Sequence, residues 1–139
     1  MDPVDEPKAG PRSAATILVV EDAPDMREFC AVALAAAGYR VLTSASVQEA
    51  LTVLRGEQKI DVLVADYNLG DGTGSELIHQ ASNEGLFDAH APAIICTAYR
   101  YVELPPRAVI VHKPIEPEDF VRHVDKAVRE VEAWQGRRP

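Results

Sequence analysis

The sequence predicts an α/β fold, an open parallel sheet with helices on both faces. Three observations predict it. Five short strand-like runs alternate with segments of helical periodicity. The most apolar runs are continuous rather than alternating, as in strands buried on both faces. The longer helical segments are one-sided, with apolar residues spaced by three and four.

Each element has its own signal. Residues 1–14 are rich in Pro, Gly and charge, lack periodicity, and read as a flexible leader. Ile17 to Val20 is a continuous apolar run ending in Glu21-Asp22. Pro24 sits where a first helical turn accepts proline. The helix expected over Asp25 to Ala37 places Met26, Phe29, Cys30, Ala33, Leu34 and Ala37 on one face, and Gly38 ends it. Tyr39 to Thr43 is strand-like, and Val47 to Arg55 is a short helix. Ile60 to Ala65 is a second buried run, ending in Asp66. Gly70-Asp71-Gly72-Thr73-Gly74 is turn chemistry that leads into a helix over Ser75 to Glu84. Pro92 to Cys96 ends in Thr97, and Ala108 to Val111 ends in His112-Lys113-Pro114. The last helix, Pro117 to Trp134, carries a stripe of Phe120, Val121, Val124, Ala127, Val128, Val131 and Trp134.

Composition narrows the function. A length of 139 residues fits one domain; we place it at 15–135, with 136–139 as a tail and no effector domain after it. Lys and Arg number 14 against 22 Asp and Glu, a net charge of −8. That balance argues against nucleic-acid binding, which draws on Lys and Arg. There is no signal peptide and no run of about 20 apolar residues to cross a membrane. A cytoplasmic protein is therefore expected, with Cys30 and Cys96 as reduced thiols filling the core. His79, His90, His112 and His123 match no metal-ligand spacing.

The polar residues at the strand ends carry the chemistry. Open α/β sheets bind ligands beyond the carboxyl ends of their strands. Glu21, Asp22, Asp66, Thr97 and Lys113 would converge there. Three neighbouring carboxylates repel one another unless a cation sits among them. Oxygen ligands without His or Cys suit Mg2+. Lysine and a threonine hydroxyl favour an anion of the phosphoryl kind, and a carboxylate can accept one as an acyl phosphate. Each residue also has a plainer reading taken alone. Glu21-Asp22 can serve the dipole of the following helix, Asp66 can cap a helix, and Lys113 can be a solvated charge.

Taken together, and in this order, the motifs resemble the receiver domain of two-component response regulators, the CheY-like family, over about residues 15–135. The carriers are Glu21-Asp22 after LVV, Asp66 after IDVLVA, the loop Tyr67 to Gly74, Thr97-Ala98, and Lys113-Pro114. The resemblance implies a doubly wound, flavodoxin-like fold with five parallel strands in the order 2-1-3-4-5. It implies that Asp66 accepts a phosphoryl group from a sensor histidine kinase or phosphotransfer protein. It assigns Mg2+, or Mn2+ in its place, to Asp22, Asp66 and the backbone carbonyl of Asn68, with Glu21 acting mainly through water. Thr97, the Ala98 backbone and Lys113 would hold phosphoryl oxygens, and Pro114 would follow a cis bond.

Two departures from the family pattern stand out. Only ten residues, Ala98 to Arg107, separate Thr97 from the last strand, and Pro105-Pro106 lie among them. A three-turn helix alone takes about 11 residues, so the family's fourth helix is expected to be absent or cut to a turn. The family's switch aromatic is replaced by Ile110. Tyr99 or Tyr101 stands as a substitute, or segment 98–107 itself shifts on phosphorylation. Tyr99, two residues after Thr97, and Asn68, two after Asp66, occupy positions that screen attacking water in this family, which predicts a long-lived phosphoryl form.

The leading function is a stand-alone receiver acting on a downstream protein or in a phosphorelay. It would catalyse only its own phosphorylation and dephosphorylation. The alternatives are a phosphorylation-independent adaptor and an aspartyl-phosphate phosphatase. The latter needs an acid where Asn68 stands. Strand five and residues 98–107 offer a surface for a homodimer. No nucleic-acid or membrane partner is expected.

Overall fold

The computed structural model describes residues 15–87 and 91–137. The elements run β1 (Thr16–Val20), α1 (Pro24–Ala36), β2 (Arg40–Ser44), α2 (Val47–Arg55), β3 (Val62–Asp66), α3 (Gly74–Asn83), β4 (Ala93–Thr97), β5 (Ala108–His112) and α4 (Pro117–Arg137). The strands form one sheet in the order β2-β1-β3-β4-β5, and every pairing is parallel. The expected fold class and strand order are both found. The leader and His90 lie outside the described residues.

The continuous apolar runs are explained by burial on both faces. Side chains alternate across a strand. Ile17 and Val19 of β1 enter a core with Cys30 and Leu34 of α1 and Phe120, Val124 and Val128 of α4. Leu18 and Val20 enter a second core with Ala50, Leu51 and Leu54 of α2 and Leu77 and Ile78 of α3. Two helices thus cover each face. Cys30 and Cys96 are buried and unbridged, as expected. Burial pushes the Cys30 thiol up to about 11 and the Cys96 thiol further still, so neither ionises readily.

Local chemistry fixes the helix starts. Ser46 caps α2 by accepting from the Glu49 N–H at 3.1 Å. Thr73 and Glu76 form a reciprocal capping box at α3. Helix α1 ends before Gly38, whose φ of 103° suits a residue without Cβ. Helix α4 runs to Arg137, three residues beyond the expected Trp134 and into the expected tail. The apolar stripe marks where the helix is buried, while backbone hydrogen bonding continues past it.

The segment between β4 and β5 contains no helix, as its length and its prolines predict. Residues 98–107 form an extended strap alongside α3. Ser75 Oγ donates to the Glu103 carbonyl at 2.7 Å. Leu104 packs against the second core. Arg107 turns the chain with a φ of 71° and lies 3.8 Å from Glu130 of α4.

Candidate functional site

The parallel sheet delivers the polar strand ends to one place. Asp66 is the last residue of β3 and Thr97 the last of β4. Glu21 follows β1, and Lys113 follows β5. Glu21 continues the strand by donating its N–H to the Ser44 carbonyl at 3.0 Å. Lys113 does the same toward β4, donating its N–H to the Thr97 carbonyl at 2.9 Å. The Lys113–Pro114 peptide is cis.

Side-chain geometry speaks against a solvated Lys113 and a helix-capping Asp66. Lys113 Nζ lies 3.0 Å from Asp66 Oδ1 and 3.3 Å from Glu21 Oε1. It is three-quarters buried rather than solvated. Asp66 caps no helix, because the N-cap of α3 is Thr73. The N-cap of α1 is Ala23, and no side chain caps that helix. Glu21 is buried, its Oε2 accepting from the Ala23 N–H at 3.3 Å. Arg27 Nη1 donates to the Glu21 carbonyl at 2.9 Å and fixes the turn after β1.

Electrostatics shows what the pocket lacks. Carboxylate oxygens of Glu21, Asp22 and Asp66 lie within 4.8 Å of one another. The Lys113 ammonium pairs with two of these three carboxylates, Asp66 and Glu21. Burial, then the charge of Asp66, pushes the Glu21 carboxyl above its ordinary range against the pull of Lys113. Burial alone would lower the Lys113 ammonium, but Asp66 and Glu21 hold it above its usual value. The Lys113 shift reports the neighbouring carboxylates, while the Glu21 shift reports burial first and the charge of Asp66 second. A hard divalent cation fits the donor set, which is all oxygen and includes Asp22 at the pocket's exposed edge.

The loop after Asp66 is held firmly. Gly74 donates its N–H to the Tyr67 carbonyl at 2.8 Å. A Cβ on Gly74 would stand 2.6 Å from the Asp66 carbonyl oxygen, so only glycine lets α3 start this close. Asn68 bridges to Thr73 across the loop. Asp71 accepts from the N–H groups of Val47 and Gln48 at 2.9 and 3.1 Å, tying the loop to the start of α2.

Thr97 is buried, and its Oγ1 accepts from the Tyr99 N–H at 3.0 Å. Ala98 follows it on the surface. The Tyr99 ring meets that of Tyr67 edge-on, with centroids 6.2 Å apart and planes at 86°. Tyr101 stands away from the pocket, 86% exposed. Ile110 lies opposite Ile95 in the sheet and offers no hydroxyl or ring. Tyr67, Arg27, Asp71 and the Ser75–Glu103 tie were not singled out from sequence. Only the position of Tyr67, next to Asp66, could have marked one of them in advance.

Comparison with known proteins agrees with this geometry. Residues 17–125 match the family model for the response regulator receiver domain. The two-component response regulator ORR8 of Oryza sativa subsp. indica is 33% identical over 62% of this chain and 70% of its own length. The phosphate regulon transcriptional regulatory protein PhoB of Pseudomonas aeruginosa is 36% identical over 60% of this chain. The chain spans only 35% of that relative's length. The crystal structure of the receiver domain from hybrid histidine kinase CckA superposes with a TM-score of 0.71. It is 28% identical, covering 82% of this chain and 99% of its own. Among the described residues no helix is long and apolar enough to cross a membrane. The strand order, the acidic pocket with its lysine, and the family match over residues 17–125 lead to one conclusion: the chain belongs to the response regulator receiver domain family.

Proposed function

We propose that residues 15–135 act as a cytoplasmic, phosphoryl-accepting receiver, with Asp66 as the acceptor. The observation that carries this reading is the Lys113 ammonium held between Asp66 and Glu21, at 3.0 and 3.3 Å, beside the three clustered carboxylates. A carboxylate oxygen of Asp66 attacks the phosphorus of a phosphohistidine on a kinase or phosphotransfer protein. The N–P bond breaks with its electron pair going to the ring nitrogen, the other ring nitrogen is already protonated so a neutral imidazole leaves, and an acyl phosphate forms on Asp66. Asp22, Asp66 and the Asn68 carbonyl would hold Mg2+, with Glu21 acting through water, and the bound ion would supply positive charge to the transferring oxygens. Thr97, the Ala98 N–H and Lys113 hold those oxygens afterwards. The chain then signals through a downstream protein or a relay, and turns over no other substrate. Val109, 42% exposed on edge strand β5, marks where a second copy would pair if the chain self-associates.

The test is incubation of the purified chain with acetyl phosphate. About one phosphoryl group per chain is expected with Mg2+ present, and almost none with a chelator or in Asp66→Asn. Equal incorporation in Asp66→Asn, or none in the parent chain, would overturn the reading.

A further inference from the structure

The outer face of α3 runs beside the strap, and the two flank an open surface groove of about 570 Å3. That lies within the usual range of ligand sites. Ser75, Glu76 and His79 stand on the helical wall, while Glu103 to Pro106 form the other. A second cavity of about 110 Å3 shares His79, Pro105 and Pro106 with the groove and reaches Ile78, Phe87 and Ala93. At roughly 30 Å3 per water it has room for three or four non-hydrogen atoms, an aliphatic side chain.

Charge selects the occupant. Glu76 and Glu103 place a carboxylate on each wall, and among the described residues no Lys or Arg lines either cavity. Glu76 Oε1 already accepts from the Thr73 N–H at 3.0 Å, which fixes that carboxylate in place. Pro105 and Pro106 have no N–H, so their part of the wall offers apolar surface and carbonyls only. An incoming segment meets acidic walls around an apolar recess.

The strap also reaches the pocket at Asp66. Thr97 Oγ1 accepts from the Tyr99 N–H, the Tyr99 ring meets Tyr67, and Ser75 Oγ holds the Glu103 carbonyl. One short stretch of chain, Thr97 to Glu103, therefore links the pocket at Asp66 to the groove wall.

We propose that this groove is a docking site for a partner segment carrying an aliphatic anchor beside Lys or Arg, and that phosphorylation changes its affinity. The second half rests on the reading of Asp66 above. It gives the molecule an output surface where the family's fourth helix is missing.

The probe is a fluorescein-labelled amphipathic peptide of leucine and arginine, titrated into the full chain and followed by anisotropy. Glu103→Arg is expected to weaken binding by about fivefold. His79→Trp, at an exposed helix position, should block the groove to a similar extent. Glu28→Arg on α1, the same charge change on a different element, should alter affinity by less than about twofold. Saturation with beryllofluoride and Mg2+ should shift affinity by about threefold or more. Equal weakening by Glu28→Arg and Glu103→Arg would reduce the effect to net charge and overturn the proposal. So would unchanged binding in His79→Trp. Mass spectrometry after acetyl phosphate treatment separates the two readings. If Asp66 is modified and peptide affinity does not change, the coupling fails while the phosphoacceptor reading stands. If no phosphoryl group is found, the phosphoacceptor reading fails.

Discussion

Lys113 serves as the internal counterion of the pocket. It neutralises part of the charge of Asp66 and Glu21 while leaving room for a divalent cation among the three carboxylates. Beside it, Thr97 and Tyr99 join the pocket to the strap. Tyr99 is 53% exposed, with its ring against Tyr67, the residue after Asp66. On the proposed function, a ring in that place would hinder water on its way to an acyl phosphate. Tyr99→Ala should therefore speed dephosphorylation by about three- to tenfold, a barrier change near 1 kcal/mol, and leave the unfolding midpoint nearly unchanged. Loss of the phosphoryl group can be followed on phosphate-affinity gels, and an unaltered rate would count against shielding. The acidic set, Thr97 and Lys113 were legible in the sequence because each ends an apolar run, and strand ends in a parallel sheet meet. Tyr67 was not, because its pairing with Tyr99 depends on the path of two loops rather than on any periodicity.

At the scale of elements, the β3–α3 loop and the strap set the pocket's shape. The loop is anchored by Asp71, whose carboxylate accepts from the first N–H groups of α2. Those bonds, the one from Val47 foremost, hold its carboxyl below the ordinary 3.8. The ionised form is favoured in the folded chain, so its contribution to stability is complete above the ordinary value and is lost as pH falls through the lowered one. Urea unfolding should give Asp71→Asn a constant deficit above about pH 4, and the deficit should shrink at more acidic pH. A deficit independent of pH down to 2 would contradict a role for the ionised carboxylate. The absence of the fourth helix was legible from ten residues and two adjacent prolines. The strap's course along α3 was not, because Ser75 and Glu103 meet across 28 positions of sequence. The end of α4 was misplaced for a related reason, since apolar periodicity reports burial and not backbone hydrogen bonding.

At the scale of the whole molecule, two cores on opposite faces of one sheet divide the work. The core of α1 and α4 supports β1 and β4 from one side, and that of α2 and α3 supports them from the other. The polar strand ends are thereby fixed relative to one another, and the strap is left as the element with least regular structure. The net charge of −8 is partly concentrated in a carboxylate cluster whose oxygens suit a cation. On the proposed function Asp66, and no other carboxylate of the pocket, takes the phosphoryl group. Borohydride reduction of the chain after acetyl phosphate treatment, followed by peptide mass spectrometry, tests it most directly. The account predicts homoserine at position 66 and unmodified Glu21 and Asp22. Reduction at Glu21 or Asp22, or an intact Asp66 in a phosphorylated chain, would contradict it.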